Sequence, residues 1–263
     1  MNAPVQNRVH PTAIVDGQSR LAKDVEVGPY AVIGPQVEIG PGSRVGPHAV
    51  ITGDTRIGEN CAIWQFASVG DAPQDKKYGG EATRLEIGSD NTIREFCTLN
   101  RGTVHGGGVT RIGDGNWIMA YVHIAHDCQI GDRTVFANNA QLAGHVEVGD
   151  DAILGGFTVV HQFCRLGAHC ITGMGTIVLQ DVPPYIKASG NPARPFGINS
   201  QGLQRRGYDV AAIAALKRAY KALYRSGLSL DEAKNELQAQ LETSPEVRPL
   251  IEFLAAPSRG IIR

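Results

Sequence analysis

Five histidines lie within a short part of the chain, where imidazole groups can act as bases, acids or metal ligands. They are His123, His126, His145, His161 and His169. The densest polar group is the segment 122–128, in which Asp127 directly follows His126. A carboxylate that orients an imidazole leaves the second ring nitrogen free to accept a proton, so this pair has the composition of a general base and its support.

A spacing of 18 residues relates several positions around this pair: His126 to Gly144 and Gly144 to Gln162, and likewise Asp127 to His145. If one coil of the chain takes 18 residues, these positions lie on adjacent coils, about 4.8 Å apart. A glycine one coil from a base lets a backbone N–H approach a reacting carbonyl as an oxyanion donor. The spacing therefore predicts a convergent polar patch.

Three interpretations of the patch are open on spacing alone. In the first, outward-facing histidines simply cover the surface of a solenoid. In the second, His123, His126 and His145 supply three ligands to zinc. In the third, His126 takes a proton from a substrate hydroxyl, and the group moves by direct transfer because no serine or cysteine nucleophile stands in a recognisable motif.

The element that must position these side chains is a repeat of six residues. Aliphatic residues recur at this period from Val9 to Leu166 with two interruptions, then Thr172 breaks the series and Val178 restores it. Hexapeptide repeats are typical of parallel β-helices, in which short strands alternate with tight turns. Glycine makes up 32 of the 263 residues and often follows the aliphatic residue, where we expect it to supply turn conformations.

The five cysteines fit the same repeat. Each stands four residues after a repeat aliphatic, a position that we expect to point inward and hold a small side chain: Cys61, Cys97, Cys128, Cys164 and Cys170. An odd number of cysteines, none spaced Cys-x-x-Cys, argues against a disulfide framework or a structural zinc site.

We predict two domains, a β-helix at residues 1–194 and a small α-helical C-terminal domain at residues 195–263. The repeat is interrupted near 70–86 and near 104–111, and insertions in a solenoid form loops, often on the binding face.

Capping patterns mark the helices of the C-terminal part. Asp209 can cap a helix that ends near Arg225, and residues 229–232 form a capping-box pattern for a second helix. A Ser-Pro pair at 244–245 opens a third.

The composition excludes several classes of protein. With 42% hydrophobic and 19% charged residues the chain is expected to fold, and a net charge of -1 gives no bulk attraction to nucleic acid or to an anionic membrane. No stretch approaches 18 apolar residues, and the N-terminus lacks the apolar core of a signal peptide. We therefore expect a cytoplasmic protein with no membrane span and no nucleic-acid partner.

A set of longer motifs is more specific than the repeat. These are Gln-Asp-Lys-Lys-Tyr at 74–78, Gly-Glu at 80–81, Thr-Arg-Leu-Glu-Ile-Gly at 83–88, Asn-Arg-Gly-Thr at 100–103, His-Ile-Ala-His-Asp-Cys at 123–128, Leu-Ala-Gly-His at 142–145, Val-His-Gln-Phe-Cys at 160–164 and Gly-Leu-Gln-Arg-Arg-Gly at 202–207. With them the chain resembles, over nearly its whole length, the acyl-carrier-protein-dependent UDP-N-acetylglucosamine O-acyltransferases, the first enzymes of lipid A synthesis.

The resemblance implies a mainly β fold, a left-handed parallel β-helix followed by a small α-helical domain. It implies a homotrimer with active sites between neighbouring β-helices, and with it we expect no bound metal and no cofactor. It also implies a reaction in which an (R)-3-hydroxyacyl chain moves from acyl carrier protein to the 3-hydroxyl of UDP-N-acetylglucosamine.

The resemblance also implies residue roles. His126 would be the general base, Asp127 would support its orientation and Gly144 would supply the oxyanion N–H. The substrate-binding residues would be Asp75, Lys77, His123, His145, His161 and Gln162 in the cleft, with Asn199, Arg205 and Arg206 on the nucleotide. Asn100 and Gln201 depart from the family pattern, which often has histidine and an acidic residue there.

Met174 bears on the length of the acyl chain. In family members that use long acyl chains, the position that it resembles is a glycine, so the Met174 side chain would close the acyl groove. It follows His126 by 48 residues, which at 18 residues per coil is roughly 13 Å along the axis. At about 1.3 Å per carbon, we predict a chain of about ten carbons.

Four alternatives are kept. A 3-amino UDP-sugar would suit the same base, and a hexapeptide carbonic anhydrase would use zinc on three histidines. The related N-acyltransferases carry an extra N-terminal uridine-binding domain, for which a repeat that begins at Val9 leaves no room. A non-catalytic solenoid would leave the histidines and both loops unexplained.

Overall fold

The main body of the protein is a three-sided parallel β-helix. The computed structural model describes residues 8–256 and 259–263. Each coil contributes one short strand to each of three sheets, and strands that pair within a sheet are parallel except for the last pair of the first sheet. The predicted parallel β-helix is confirmed.

The strands follow one another around the three sheets. The first sheet contains β1 (Arg8–Val9), β4 (Glu26–Val27), β7 (Arg44–Val45), β10 (Ala62–Ile63), β13 (Thr92–Ile93), β16 (Trp117–Ile118), β19 (Val135–Phe136), β22 (Ile153–Leu154), β25 (Ile171–Thr172), β27 (Ile186–Ser189) and β28 (Arg194–Ile198). The second contains β2 (Ile14–Val15), β5 (Val32–Ile33), β8 (Val50–Ile51), β11 (Ser68–Asp71), β14 (Thr98–Asn100), β17 (His123–Ile124), β20 (Gln141–Leu142), β23 (Val159–Val160) and β26 (Ile177–Val178). The third contains β3 (Arg20–Leu21), β6 (Val37–Ile39), β9 (Asp54–Ile57), β12 (Arg84–Ile87), β15 (Val109–Ile112), β18 (Gln129–Ile130), β21 (Glu147–Val148) and β24 (Arg165–Leu166).

The core is the inside of the prism. Repeat aliphatics such as Ile33, Ile124 and Leu142 are buried, and all five cysteines are free and buried beside them. Thr172, which breaks the aliphatic series, is also buried and lies 2.8 Å from the Thr158 hydroxyl. The inward position predicted for the cysteines is confirmed.

Several glycines of the repeat are required for close packing between coils and not for the turn conformation that we predicted. Gly28, Gly40 and Gly46 are not among the residues with positive φ. Instead, a Cβ on Gly40 would lie 2.6 Å from the Gly58 carbonyl carbon, so glycine is required by the close approach of the next coil. The left-handed corner conformation is adopted by other residue types, among them Tyr30 (φ 58) and His48 (φ 57). The expectation that glycine supplies the turn conformation is wrong at these positions.

The two interruptions of the repeat are insertions on the side where the second sheet passes to the third. The first occupies the chain between β11 and β12, residues 72–83, within the predicted 70–86. The second lies at residues 101–108 and contains a 3-10 helix, Val104–Gly106. Its predicted range of 104–111 is displaced, because residues 109–112 pair with β12 as strand β15.

The C-terminal part is helical. It contains α1 (Ser200–Arg205), α2 (Val210–Tyr224), α3 (Leu230–Gln240), a 3-10 turn (Pro245–Val247) and α4 (Arg248–Ala255). Asp209 caps α2 and a complete capping box opens α3, as predicted, whereas α1 was not anticipated. None of the helices in the described ranges combines the length and hydropathy of a membrane span.

Candidate active site

His126 and Asp127 stand at the corner where β17 of the second sheet passes to β18 of the third, called here the second–third corner. His126 Nδ1 lies 2.8 Å from Asp127 Oδ2. The Asp127 side chain is fully buried, whereas the His126 side chain is 16% exposed. The imidazole therefore reaches the surface while its orienting carboxylate is shielded from water.

The Asp127 carboxylate is ionised in this position. Burial alone would raise its pKa, but hydrogen bonds from His126 and Thr103 bring the pKa of Asp127 below its usual value. A carboxylate can only accept hydrogen bonds, so Nδ1 of His126 carries the proton that lies between them. In the neutral ring, Nε2 is then the free acceptor and can serve as a base.

Gly144 lies one coil further, against the His126 ring. A Cβ at Gly144 would be 2.5 Å from His126 Cε1 and 2.8 Å from Nε2, so a side chain there would displace the ring. Within the described residues the N–H of Gly144 makes no hydrogen bond, while its carbonyl accepts from Phe163. Gly144 therefore offers a free backbone donor close to the proposed base.

His145 completes the corner. Its Nε2 lies 3.6 Å from Asp127 Oδ2, and its ring stacks on Phe163 with 4.5 Å between ring centroids. Burial lowers the pKa of His145 and the charge of His126 lowers it further, while the carboxylates of Asp127 and Asp75 raise it. The net effect is a lowered pKa, which keeps His145 neutral at neutral pH.

The other predicted cleft residues differ in their surroundings. His123 is half-buried on β17, and its Nδ1 lies 2.7 Å from the Thr98 hydroxyl. Burial and the charge of His126 lower the pKa of His123. His161 and Gln162 are exposed on the coil after Gly144, with His161 Nδ1 3.1 Å from the Gln162 carbonyl oxygen.

The first inserted loop brings Asp75 towards His145, as the effect of its charge on the pKa of His145 shows. Asp75 accepts a hydrogen bond from the backbone N–H of Lys77, whose side chain is exposed. Arg101 ties the loop down, because it donates to the Gly70 carbonyl at 2.8 Å and to the Tyr78 hydroxyl at 3.1 Å.

Asn100 holds the same loop at its start. Its amide donates to the Ala72 carbonyl at 2.9 Å. Asn100, which departs from the family pattern, therefore has a structural role in holding the loop. We do not count it among the reacting residues.

The predicted nucleotide contacts lie elsewhere in the single chain. Asn199 caps α1 and donates to the His169 carbonyl at 3.0 Å. Arg206 pairs with Asp151 at 2.8 Å, at the corner between the third and first sheets, while Arg205 is exposed. One chain does not bring these residues to the second–third corner with His126.

Met174 is also on another corner of the prism. It follows β25 of the first sheet and precedes β26 of the second, and it is 78% exposed. The separation of the two residues therefore includes a step around the prism as well as the axial rise of roughly 13 Å. A groove from His126 to Met174 would therefore have to be completed by a second chain.

The three histidines of the zinc interpretation do not form one group of possible ligands in the described residues. The group of possible ligand atoms that comes together in the described chain is His126, Asp127 and His145, within 4.8 Å of one another. His123 is instead bonded to Thr98. Both Asp127 oxygens already accept protein donors, from Thr103 and His126, while His145 Nε2 stays 3.6 Å from Oδ2.

Sequence reasoning missed Thr103, which donates to both oxygens of Asp127. The 18-residue spacing does not relate the two residues because Thr103 itself lies in the second insertion, residues 101–108. The Asn-Arg-Gly-Thr motif was the available signal. Next to the site, a cleft of about 610 Å³ is lined by Asp127, His145, Phe163 and Arg165 among others.

Comparison with known proteins gives concordant matches. The family described as "Udp N-acetylglucosamine O-acyltransferase; Domain 2" matches residues 181–262, and "Bacterial transferase hexapeptide (six repeats)" matches residues 18–53, 37–71 and 110–144. Acyl-[acyl-carrier-protein]–UDP-N-acetylglucosamine O-acyltransferase of Thiobacillus denitrificans is 65% identical over 97% of this chain and 99% of the relative. The protein of the same name from Janthinobacterium is 60% identical, with the same coverage.

Solved structures agree with the fold. LpxA from Acinetobacter baumannii has a TM-score of 0.95 and 48% identity, covering 97% of this chain and 99% of that one. UDP-N-acetylglucosamine O-acyltransferase from Moraxella catarrhalis has a TM-score of 0.95 and 45% identity, with the same coverage. With the hexapeptide matches, these similarities identify the main body as a left-handed parallel β-helix.

Proposed function

The chain belongs to the UDP-N-acetylglucosamine O-acyltransferase family and is an acyltransferase, and from this premise we propose how it works. It transfers an (R)-3-hydroxyacyl chain from acyl carrier protein to the 3-hydroxyl of UDP-N-acetylglucosamine, the first step of lipid A synthesis. The observation that carries this proposal is the arrangement of His126 between the buried Asp127 carboxylate and Gly144.

His126 Nε2 takes the proton of the 3-hydroxyl as the oxygen attacks the thioester carbonyl carbon. The C–O bond forms, and the negative charge passes to the carbonyl oxygen, where the Gly144 N–H stabilises it. When the C–S bond breaks, His126 returns the proton to the departing thiolate of the carrier. Asp127 stabilises the imidazolium between these two steps, which is the role of a carboxylate beside a catalytic histidine.

The flanking groups bind rather than react. His145 stays neutral and, with His123, His161 and Gln162, lines the cleft around the sugar. Asp75 and Lys77 approach from the inserted loop, which Arg101 holds against the β-helix. Asn199, Arg205 and Arg206 bind the nucleotide, since guanidinium groups match diphosphate geometry.

We propose that the active unit is a homotrimer packed around the corner between the first and second sheets. A ladder of stacked, exposed rings follows this corner: Tyr30, His48, Phe66, Phe96 and Tyr121. An exposed apolar strip of this length marks an interface. The outer face of the third sheet carries ion pairs such as Arg20–Glu38 and Arg111–Glu86, and the N-terminal end of the first sheet carries two more at Glu26.

This packing would also complete the site. If three chains meet at that corner, the second sheet of one chain lies against the first sheet of the next. The first sheet has a groove of about 720 Å³ beside Trp64 that a neighbour could fill. The His126 corner of one chain would then face the Arg206 corner of the next. Light scattering of the purified protein tests the trimer.

The acyl chain would run between neighbouring chains towards Met174. Its exposed side chain would end the groove and select a shorter chain than a glycine at this position would admit. Five free cysteines suit a reducing compartment, so we place the reaction in the cytoplasm.

The experiment is a transfer assay with UDP-N-acetylglucosamine and a ladder of 3-hydroxyacyl carrier proteins, with the product identified by mass spectrometry. Transfer to this sugar supports the proposal. Transfer only to the 3-amino sugar supports that acceptor, and chelator-sensitive hydration of carbon dioxide would support the zinc enzyme. We expect transfer to UDP-N-acetylglucosamine, because His126 beside Asp127 is arranged as a general base.

A further inference from the structure

Thr103 donates hydrogen bonds to both oxygens of the buried Asp127 carboxylate. Its backbone N–H donates to Oδ1 and its hydroxyl donates to Oδ2, each at 2.7 Å. Oδ2 is also the oxygen that lies 2.8 Å from His126 Nδ1. Thr103 and His126 therefore share one acceptor atom, and a movement of Thr103 would be passed to the imidazole.

The direction of the Thr103 hydroxyl is determined by its neighbours. The backbone N–H of Gly106 donates to Thr103 Oγ1 at 3.2 Å. Because Oγ1 already accepts this bond, its one proton points to Asp127 Oδ2. Thr103 is 5% exposed, so water does not compete for that proton.

The second inserted loop closes over the carboxylate. Thr103 precedes its 3-10 helix, and a Cβ on Gly106 would collide with the Asp127 carboxylate. Below it, the Asp127 backbone N–H donates to the Thr110 hydroxyl at 2.7 Å. The loop thus shields a charge that would be expensive to bury without donors.

We propose that Thr103 is a positioning residue, which holds Asp127 so that His126 keeps its proton on Nδ1 and presents Nε2 as the base. The proposal rests on the proposed function for its kinetic consequences. Thr103 acts through Asp127 and does not reach the substrate.

Several titratable groups face this pair, and each must be considered in a pH profile. His145 and His123 lie beside His126 on the β-helix, and Asp75 approaches from the first inserted loop. The hydrogen bonds of Thr103 go to Asp127 and Gly106 and to none of these three side chains. Without the Thr103 hydroxyl, the Asp127 carboxylate can turn away from Nδ1 and supports protonated His126 less well, so the acid limb of the rate profile should move to lower pH.

The kinetic test compares Thr103→Val with Thr103→Ser. Loss of one hydrogen bond to a charged group should lower kcat about 10- to 100-fold in the valine variant. The serine variant keeps the hydroxyl and should stay within about threefold of wild type, a margin well under one such bond. KM for the nucleotide sugar should not change, because Thr103 is outside the cleft.

Thr134→Val is the matched control. Thr134 is also buried, and its hydroxyl donates to Asn116 Oδ1 at 2.6 Å, away from the site. It should lose thermal stability as Thr103→Val does, but keep the wild-type kcat and acid limb. If Thr103→Val matched this control in both, the proposal would be overturned.

A second readout needs no turnover. The ¹⁵N shifts of the His126 ring should report the Nδ1–H tautomer in wild type and a tautomer mixture in Thr103→Val. If wild type transferred no acyl chain but this change appeared, the proposed function would fail and the role of Thr103 would stand. An unchanged tautomer would overturn the role of Thr103 whatever the activity.

Discussion

His126 and Gly144 face each other on neighbouring coils so closely that a Cβ on Gly144 would lie 2.5 Å from His126 Cε1. The base and the backbone donor are thus held by one repeat of a rigid solenoid. The distance between them is set by the spacing of parallel strands, since His126 follows β17 and Gly144 follows β20, which pair in register.

Gly144→Ala should displace the imidazole and lower kcat about 100-fold, the cost expected for about 1 Å of misplacement. Gly34→Ala is the matched control, because a Cβ there would meet Thr52 Cα at an ordinary 3.4 Å. Neither glycine has a positive φ, so the backbone accepts alanine in both. Equal kcat values for the two variants, from steady-state assays, would contradict the close packing.

Met174→Gly should move the preferred acyl chain to greater length, because removal of an exposed side chain would reopen the groove. Competition between carrier proteins with different chains measures the preference. Leu179→Ala provides a control, as another large exposed side chain beyond β26. A chain-length profile that does not respond to Met174→Gly would reject this residue as the ruler.

Arg205→Ala and Arg206→Ala should differ in stability. Both should raise KM for the nucleotide sugar about 10- to 100-fold, because each variant loses about one charge-assisted hydrogen bond to the nucleotide. Of the two arginines, Arg206 pairs with the shielded Asp151, at 2.8 Å, so its loss should also lower Tm by about 2–4 °C for about 1 kcal/mol. Equal melting temperatures for the two variants would show that the Asp151 pair adds no stability.

Stability should fall as the pH drops below the ordinary histidine pKa. Burial lowers the folded-state pKa of His123, His145 and His169, so the unfolded chain binds more protons between the two values. Full stability is therefore present above about pH 6.5 and is lost towards the lowered folded-state pKa values.

His145→Phe should reduce that loss. Phenylalanine adopts the required corner conformation at Phe163 (φ 64) and would keep the stack on it. Urea unfolding at about pH 7.5 and about pH 5.5, on either side of the ordinary histidine pKa, measures the effect. The variant should show the smaller decrease, and an equal decrease would exclude His145 as a contributor.

Much of the site follows from the period of the chain. Six-residue repeats imply a solenoid, and a coil of 18 residues correctly relates His123 to Gln141 in the strand pairing. The same count relates Asp127 to His145, whose side chains lie 3.6 Å apart. Both pairs lie on regularly stacked coils, where the pairing of neighbouring strands determines which residues lie opposite each other.

The rest depends on departures from the period. Thr103 lies in the second insertion, outside the repeat, so no fixed spacing relates it to Asp127. The helix α1 begins at Ser200 after its Asn199 cap, and its six residues are too few to show an apolar period. Met174 is a different case, because 48 residues are two and two-thirds coils of 18, so the spacing itself puts it on another corner than His126.

The most direct test of the account is the kcat of His126→Ala against wild type, with UDP-N-acetylglucosamine and the best 3-hydroxyacyl carrier protein. His10→Ala, an exposed histidine at the far end of the β-helix, is the control. We predict that His126→Ala loses at least about 100-fold in kcat, the contribution of a general base, while it remains folded. A folded His126→Ala protein that transfers acyl chains at the wild-type rate would contradict the assignment of His126 as the base.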